Sequence, residues 1–166
     1  MFKDIICSAG VFLLDSAVKH QAEERLNNGS EKYLFKGRVK LKLHHNHGAM
    51  LNFNDRDPKA VKVMSCGLTG ALISAYILSF ICGKDSRRLR ALALIIGGAA
   101  SNTLDRINKG FVTDYVSFPF IGDRLSRLFG KKAGKYIGGI VFNISDFFII
   151  GGTLYLMIRE ISEGES

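Results

Sequence analysis

Residues 63–83 contain no charged side chain. A helix needs about 20 apolar residues to cross the hydrocarbon core of a bilayer, and this run has them. A second stretch, residues 136–158, holds a single charge, Asp146. Two such runs in one chain constrain the fold more than any average does. The hydrophobic fraction, 47%, would suit a soluble protein equally well, so the membrane reading rests on how the apolar residues are distributed. Residues 5–14 and 91–104 are also uncharged but short. They become spans if the polar residues at their ends are tolerated, and two strong spans bring them in as a first and a third.

The net charge is +8. Basic residues gather at 32–42 and 124–135, beside apolar segments and without a nucleic-acid-binding motif. Anionic lipid head groups are therefore the expected counterpart, and no nucleic acid is. Cys7, Cys66 and Cys82 all fall in apolar sequence. The last two are about 24 Å apart along one helix and cannot bridge, so all three are expected to be buried thiols. Lys3 and the apolar run after it look like a secretory signal, but the run meets Asp15 and Lys19 without a small-residue cleavage site. It is read as a retained first helix.

The pattern predicts helices at 4–26, 57–82, 89–108 and 136–160, with Asn27-Asn28-Gly29 and Lys109-Gly110 as stops and Asp57-Pro58 as a start. Residues 39–44 alternate with period two, which predicts a strand at the membrane surface. A turn follows at Asn46-His47-Gly48-Ala49. Residues 123–129 form a short amphipathic helix with Leu125, Leu128 and Phe129 on one side. The expected fold is an all-α membrane protein of one domain, residues 1–166. It has four transmembrane helices, a small extracytoplasmic β ribbon and a short interfacial helix. Basic residues at Lys84, Arg87, Arg88 and Arg90 place that tight loop, and with it both termini, in the cytoplasm. The longer loops are basic too and then face outward, against the same rule.

Polar residues inside the apolar runs fall at helical spacings. Asn102, Asp105 and Arg106 share one face, as do Asn143 and Asp146, and Asp15 and Lys19 are an i, i+4 pair in the favourable order. Asp114 follows Arg106 by eight residues, in a loop able to fold back over the bundle mouth towards Asp146. Two neighbouring carboxylates share a proton. The ionised one can deprotonate water, and the protonated one can donate to a carbonyl under attack. The competing reading makes Asp114 a solvated loop acid and pairs Asp146 with Arg106 or Lys19.

These residues carry a resemblance over most of the chain: Asp15-x-x-x-Lys19, Asn46-x-Gly48-Ala49, Gly98-Ala99-x-Ser101-Asn102-x-x-Asp105-Arg106, Gly110-x-Val112-x-Asp114-Tyr115 and Phe142-Asn143-x-x-Asp146. In this order they resemble lipoprotein signal peptidase, or signal peptidase II, the bacterial membrane aspartic peptidase. The resemblance implies that Asp114 and Asp146 are the catalytic pair. It implies that Asn46, Gly48, Asn102, Arg106 and Asn143 bind substrate, and that Asp15, Lys19 and Asp105 support the site. It implies cleavage of diacylglyceryl-modified prolipoproteins before the lipobox cysteine, by a monomer in the bacterial inner membrane. The site would lie towards the extracytoplasmic face, in contact with membrane lipids and with no cofactor or metal.

The chain departs from the family pattern at Met50-Leu51 with Phe53, at Ser145 in place of a common alanine, and in a long stretch at 117–141. His44, His45 and His47 lie close together, but nearby lysines would repel a cation, so they are read as interfacial loop residues. Gly97-Gly98 is read as a close helix contact. Two other functions remain open: a small carrier using Asp146 and Asp105 as proton or ion sites, and a catalytically silent lipid-binding relative.

Overall fold

The structure, a computed structural model, describes residues 1–26, 29–48 and 57–164. Met50, Leu51 and Phe53 lie outside the described residues, as do Ala49 of the turn and Asn27-Asn28 of the first stop. The order is α1 (Phe2–Arg25), β1 (Glu31–Leu34), β2 (Val39–Asn46), α2 (Pro58–Ile81), α3 (Ser86–Asn108), β3 (Val112–Ser117), α4 (Pro119–Phe129), α5 (Lys131–Gly139) and α6 (Ile144–Gly164).

The molecule is mostly helical, with an antiparallel sheet in the order β1-β2-β3. The sequence pattern foretold β2 alone. β3 was expected as a loop, yet it pairs with β2 so that Asp114 stands opposite His44. The last helix also differs. The apolar run 136–158 is broken: α5 ends at Gly139, and Phe142 forms an isolated bridge to Val116. A new helix starts at Ile144. Hydropathy does not register such a break, because the residues on both sides are apolar.

Helix α3 is central. A Cβ at Gly97 would lie 2.4 Å from the Ser8 carbonyl oxygen of α1, and one at Gly98 would lie 2.8 Å from the Ser145 carbonyl oxygen of α6. The two glycines thus let three backbones approach, as expected. Thr69 and Thr103 share a 2.8 Å hydrogen bond between α2 and α3. At one end of the bundle, Tyr76 donates to Asp4 at 3.0 Å, and ion pairs Arg88–Glu160 and Arg159–Asp85 join α3 and its cap to α6. The sheet caps the other end.

Among the described residues, only α2 is long and apolar enough to cross a bilayer by composition alone. The other long helices carry polar residues, and many of these are buried against one another. The outward faces are apolar, with Phe2, Leu13, Val63, Leu78, Met157 and Ile158 exposed. Cys66 and Cys82 are exposed on the same outer surface, where buried thiols were expected.

Candidate active site

At the capped end, Asp114 and Asp146 line one cavity of about 760 Å³. Strand β3 presents Asp114, which is 2% exposed. Asp146 stands in the first turn of α6, where the helix dipole favours a negative charge. The solvated loop acid of the competing reading is therefore absent.

Asn143 connects the two carboxylates. Its side-chain amide donates to Asp114 Oδ1 at 2.7 Å and to Asn102 Oδ1 at 3.1 Å. Its Oδ1 accepts the Asp146 backbone N–H at 3.0 Å, and its own N–H donates to Asp146 Oδ2 at 3.0 Å. This reciprocal pair is a capping box at the start of α6. Asn102 donates to Asp146 Oδ1 at 3.2 Å, and Asn46 donates to Asp114 Oδ2 at 3.1 Å. All three asparagines are thus engaged with the aspartates. Burial, with Asp146 nearby, pushes the Asp114 carboxyl up to about 7.

A second layer holds the first. Lys19, 1% exposed, lies 2.7 Å from Asp15 and 3.2 Å from Asp105. It also donates to Asn102 Oδ1 at 2.7 Å. Lys19 is therefore matched by Asp15 and Asp105, and Asp146 is not its ion-pair partner. Asp15 accepts from Ser101 at 2.6 Å and from the Ser145 N–H at 3.1 Å. Asp105 pairs with Lys109 at 2.9 Å and accepts the Thr113 N–H at 3.3 Å. These bonds tie α1, α3, α6 and β3 together around the aspartates. They also satisfy charges that would be costly to bury alone.

Arg106 lines the cavity. Its guanidinium donates to the Gly48 carbonyl at 2.9 Å and the Asn102 carbonyl at 3.4 Å. Its Nε is buried without a partner among the described residues. Gly48 is held in turn by an Asx turn, its N–H donating to Asn46 Oδ1 at 3.1 Å.

Several contributors had no role assigned from sequence, although Ser101 and Tyr115 stand in the quoted motifs. Tyr115 accepts the Ile144 N–H at 3.0 Å, satisfying another free donor of α6. Ser101 joins Asp15 to Lys19. Glu23 accepts from Thr113 at 2.7 Å and meets His45 at 3.1 Å. Its i, i+4, i+8 spacing with Lys19 and Asp15 was a usable signal. Lys132 and Lys135 of α5 also border the cavity. Of the histidines, His44 borders the cavity and burial pushes its pKa down. His45 stacks on Phe111 at 4.1 Å, and His47 meets the same ring edge-on. No group of three metal-ligating side chains occurs among the described residues.

Known proteins resemble this chain over most of its length. The family model described as signal peptidase (SPase) II matches residues 7–162. A lipoprotein signal peptidase of Caldicellulosiruptor bescii is 28% identical over 92% of this chain and 87% of that protein. One of Clostridium tetani is 30% identical over 96% of this chain and 92% of that protein. One of Bartonella bacilliformis is 30% identical over 89% and 81% respectively. A bacterial membrane enzyme solved by the in meso method at 2.3 Å shares the fold with a TM-score of 0.77 at 20% identity, covering 99% of this chain and 90% of that one. A second, at 1.9 Å, has a TM-score of 0.71 at 20% identity, covering 96% and 92%. Membership of a peptidase family sets aside the carrier reading. The chain belongs to the signal peptidase II family of aspartic peptidases.

Proposed function

We propose that Asp114 and Asp146 form the catalytic pair with which this chain removes the signal peptide from diacylglyceryl-modified prolipoproteins, before the lipobox cysteine. The observation that carries this reading is the Asn143 side chain, which bonds to both aspartates across one cavity. Asp146, at a helix N-terminus that favours negative charge, is assigned the base. Asp114, whose carboxyl is pushed up to about 7, is suited to hold the shared proton.

In the mechanism, a water attacks the scissile carbonyl carbon and gives a proton to Asp146, while Asp114 donates to the carbonyl oxygen. The tetrahedral diol then collapses. Asp146 returns its proton to the leaving nitrogen as the C–N bond breaks, and Asp114 recovers its own. Asn46, Asn102 and Asn143 fix the carboxylates. The Nε of Arg106, buried without a partner among the described residues, supplies a donor for a substrate carbonyl. Asp15, Lys19 and Asp105 hold the frame.

The bilayer setting is supported by the apolar outer faces of α1, α2 and α6 and by the concentration of buried charge at the helix interfaces. We place α1, α2, α3 and α6 as four spans of a monomeric, single-domain protein in the bacterial inner membrane. The sheet and the cavity face outward. The Leu68, Ala99, Ile149 and Ile150 walls give the cavity an apolar side. A diacylglyceryl group has many methylenes to bury there, each worth about 0.8 kcal/mol.

The test is cleavage by purified protein of lipidated and unlipidated precursor. Only the lipidated one should be cut, and chelators should not slow it. Asp114→Asn and Asp146→Asn should each lose nearly as much as the double variant, while Asp123→Asn keeps its rate. Equal cleavage of both precursors, or an active Asp146→Asn, would reject the assignment. A thiol reagent outside the cell should label Lys36→Cys and not Ser86→Cys if the orientation is right.

A further inference from the structure

The segment between the two aspartates forms a lobe of its own. The chain leaves β3 at Phe118 and returns at Phe142. The two ends are pinned by the Val116–Phe142 bridge and by contacts among Phe118, Phe142 and Phe147, with ring centroids 5.9 to 6.3 Å apart. Between them, α4 and α5 fold against each other through glycines. A Cβ at Gly122 would lie 2.6 Å from the Gly138 Cα, and one at Gly134 would lie 2.4 Å from the Gly122 carbonyl oxygen. This backbone contact stiffens the hairpin and turns its larger side chains outward.

Those outward side chains are of two kinds. Leu128 and Phe129 at the tip are 74% and 71% exposed, and Phe120 and Ile121 are also exposed. Arg124, Arg127, Lys131, Lys132 and Lys135 supply the charge, against Asp123 as the one acid in the hairpin. None of these five cations makes an ion pair with a described residue. Two exposed apolar residues followed, after Gly130, by a pair of lysines match an element that lies in a membrane interface. Unneutralised cations beside them call for anionic head groups.

We propose that the α4–α5 hairpin docks on anionic phospholipid at the membrane surface, with Leu128 and Phe129 among the acyl chains and Arg124, Arg127 and Lys131 on the phosphates. Lys132 and Lys135 then stand between the head groups and the cavity they border, marking the side on which a lipidated substrate meets a charged membrane surface. The proposal rests on the bilayer setting given above, and its test separates the two.

The chain has no tryptophan, so Phe129→Trp introduces a single fluorophore into the full-length protein. Leu78→Trp on the exposed face of α2 reports the bilayer setting. Each variant is reconstituted in nanodiscs of phosphatidylcholine alone or mixed with phosphatidylglycerol, with brominated acyl chains as quencher. The hairpin fluorophore should be blue-shifted and quenched in the mixed discs. It should lose that quenching in phosphatidylcholine, in high salt, or when Arg124, Arg127 and Lys131 are changed to Gln. The α2 fluorophore should be quenched throughout. A hairpin fluorophore that stays water-exposed in both discs while the α2 one is quenched overturns the docking. Loss of quenching at both positions overturns the bilayer setting and the docking with it.

Discussion

Asn143 and Asp146 cap each other at the start of α6, each accepting the other's backbone N–H at 3.0 Å. The proposed base is therefore part of the device that starts its own helix. The same asparagine reaches across to Asp114, so helix initiation and the placement of both carboxylates depend on one side chain.

Substitutions at Asn143 should separate those two duties. Asn143→Ser keeps an oxygen able to cap but is too short to reach Asp114. Its melting temperature should fall less than that of Asn143→Ala, while kcat/KM falls by about 100-fold, the scale of a misplaced catalytic group. Asn143→Ala should lose the activity and a further ~1 kcal/mol of stability with the cap. Unfolding in detergent and lipoprotein cleavage on the same preparations provide the check.

The pH dependence follows from Asp114. Its carboxyl is raised from 3.8 unfolded to about 7 folded, so the folded protein binds this proton more tightly. The stability that proton contributes is complete below about pH 4 and is lost as pH rises through about 7. Wild type should accordingly lose melting temperature across that window, and Asp114→Asn should show a smaller loss. Cleavage should decline above pH 7 as the shared proton leaves.

Ser145 is fully buried, and its hydroxyl has no partner among the described residues. Ser145→Ala should raise stability by about 1 kcal/mol, the cost of one unsatisfied buried group, with cleavage unchanged. A lower melting temperature would show that the hydroxyl has a partner.

Gly98→Ala would set a Cβ 2.8 Å from the Ser145 carbonyl oxygen, against backbone that cannot turn aside. Separating α3 from α6 should cost about 1–3 kcal/mol and reduce cleavage, because Asn102 and Asp146 lie on those two helices. Gly70→Ala on α2, with nothing within 4 Å, should be neutral or slightly stabilising. Comparing the two variants separates helix propensity from packing.

Much of the bundle was legible because its signals are local. Asp57 accepts the Ala60 N–H and Pro58 opens α2, as a start signal should. The i, i+4 spacing of Asp15 and Lys19 became a 2.7 Å ion pair. Less was legible around Asp114. Val112, Thr113, Tyr115 and Val116 are strand formers, but the segment is short and holds Asp114, and nothing local says that it pairs with β2. The short helices α4 and α5 owe their pairing to glycines far apart in sequence.

Spacing along single helices and the ordered polar motifs determined which residues are polar where the surroundings are apolar, and which of them share a face. That information is contained in one turn of chain. Only the tertiary structure decided what those residues touch. It added Asp105 to the Lys19–Asp15 pair, and it turned three asparagine amides onto the aspartates. It also split the apolar run after Tyr136 into two helices. A buried polar group must find its partner wherever the fold brings one, and here such partners stand as far as 130 residues apart.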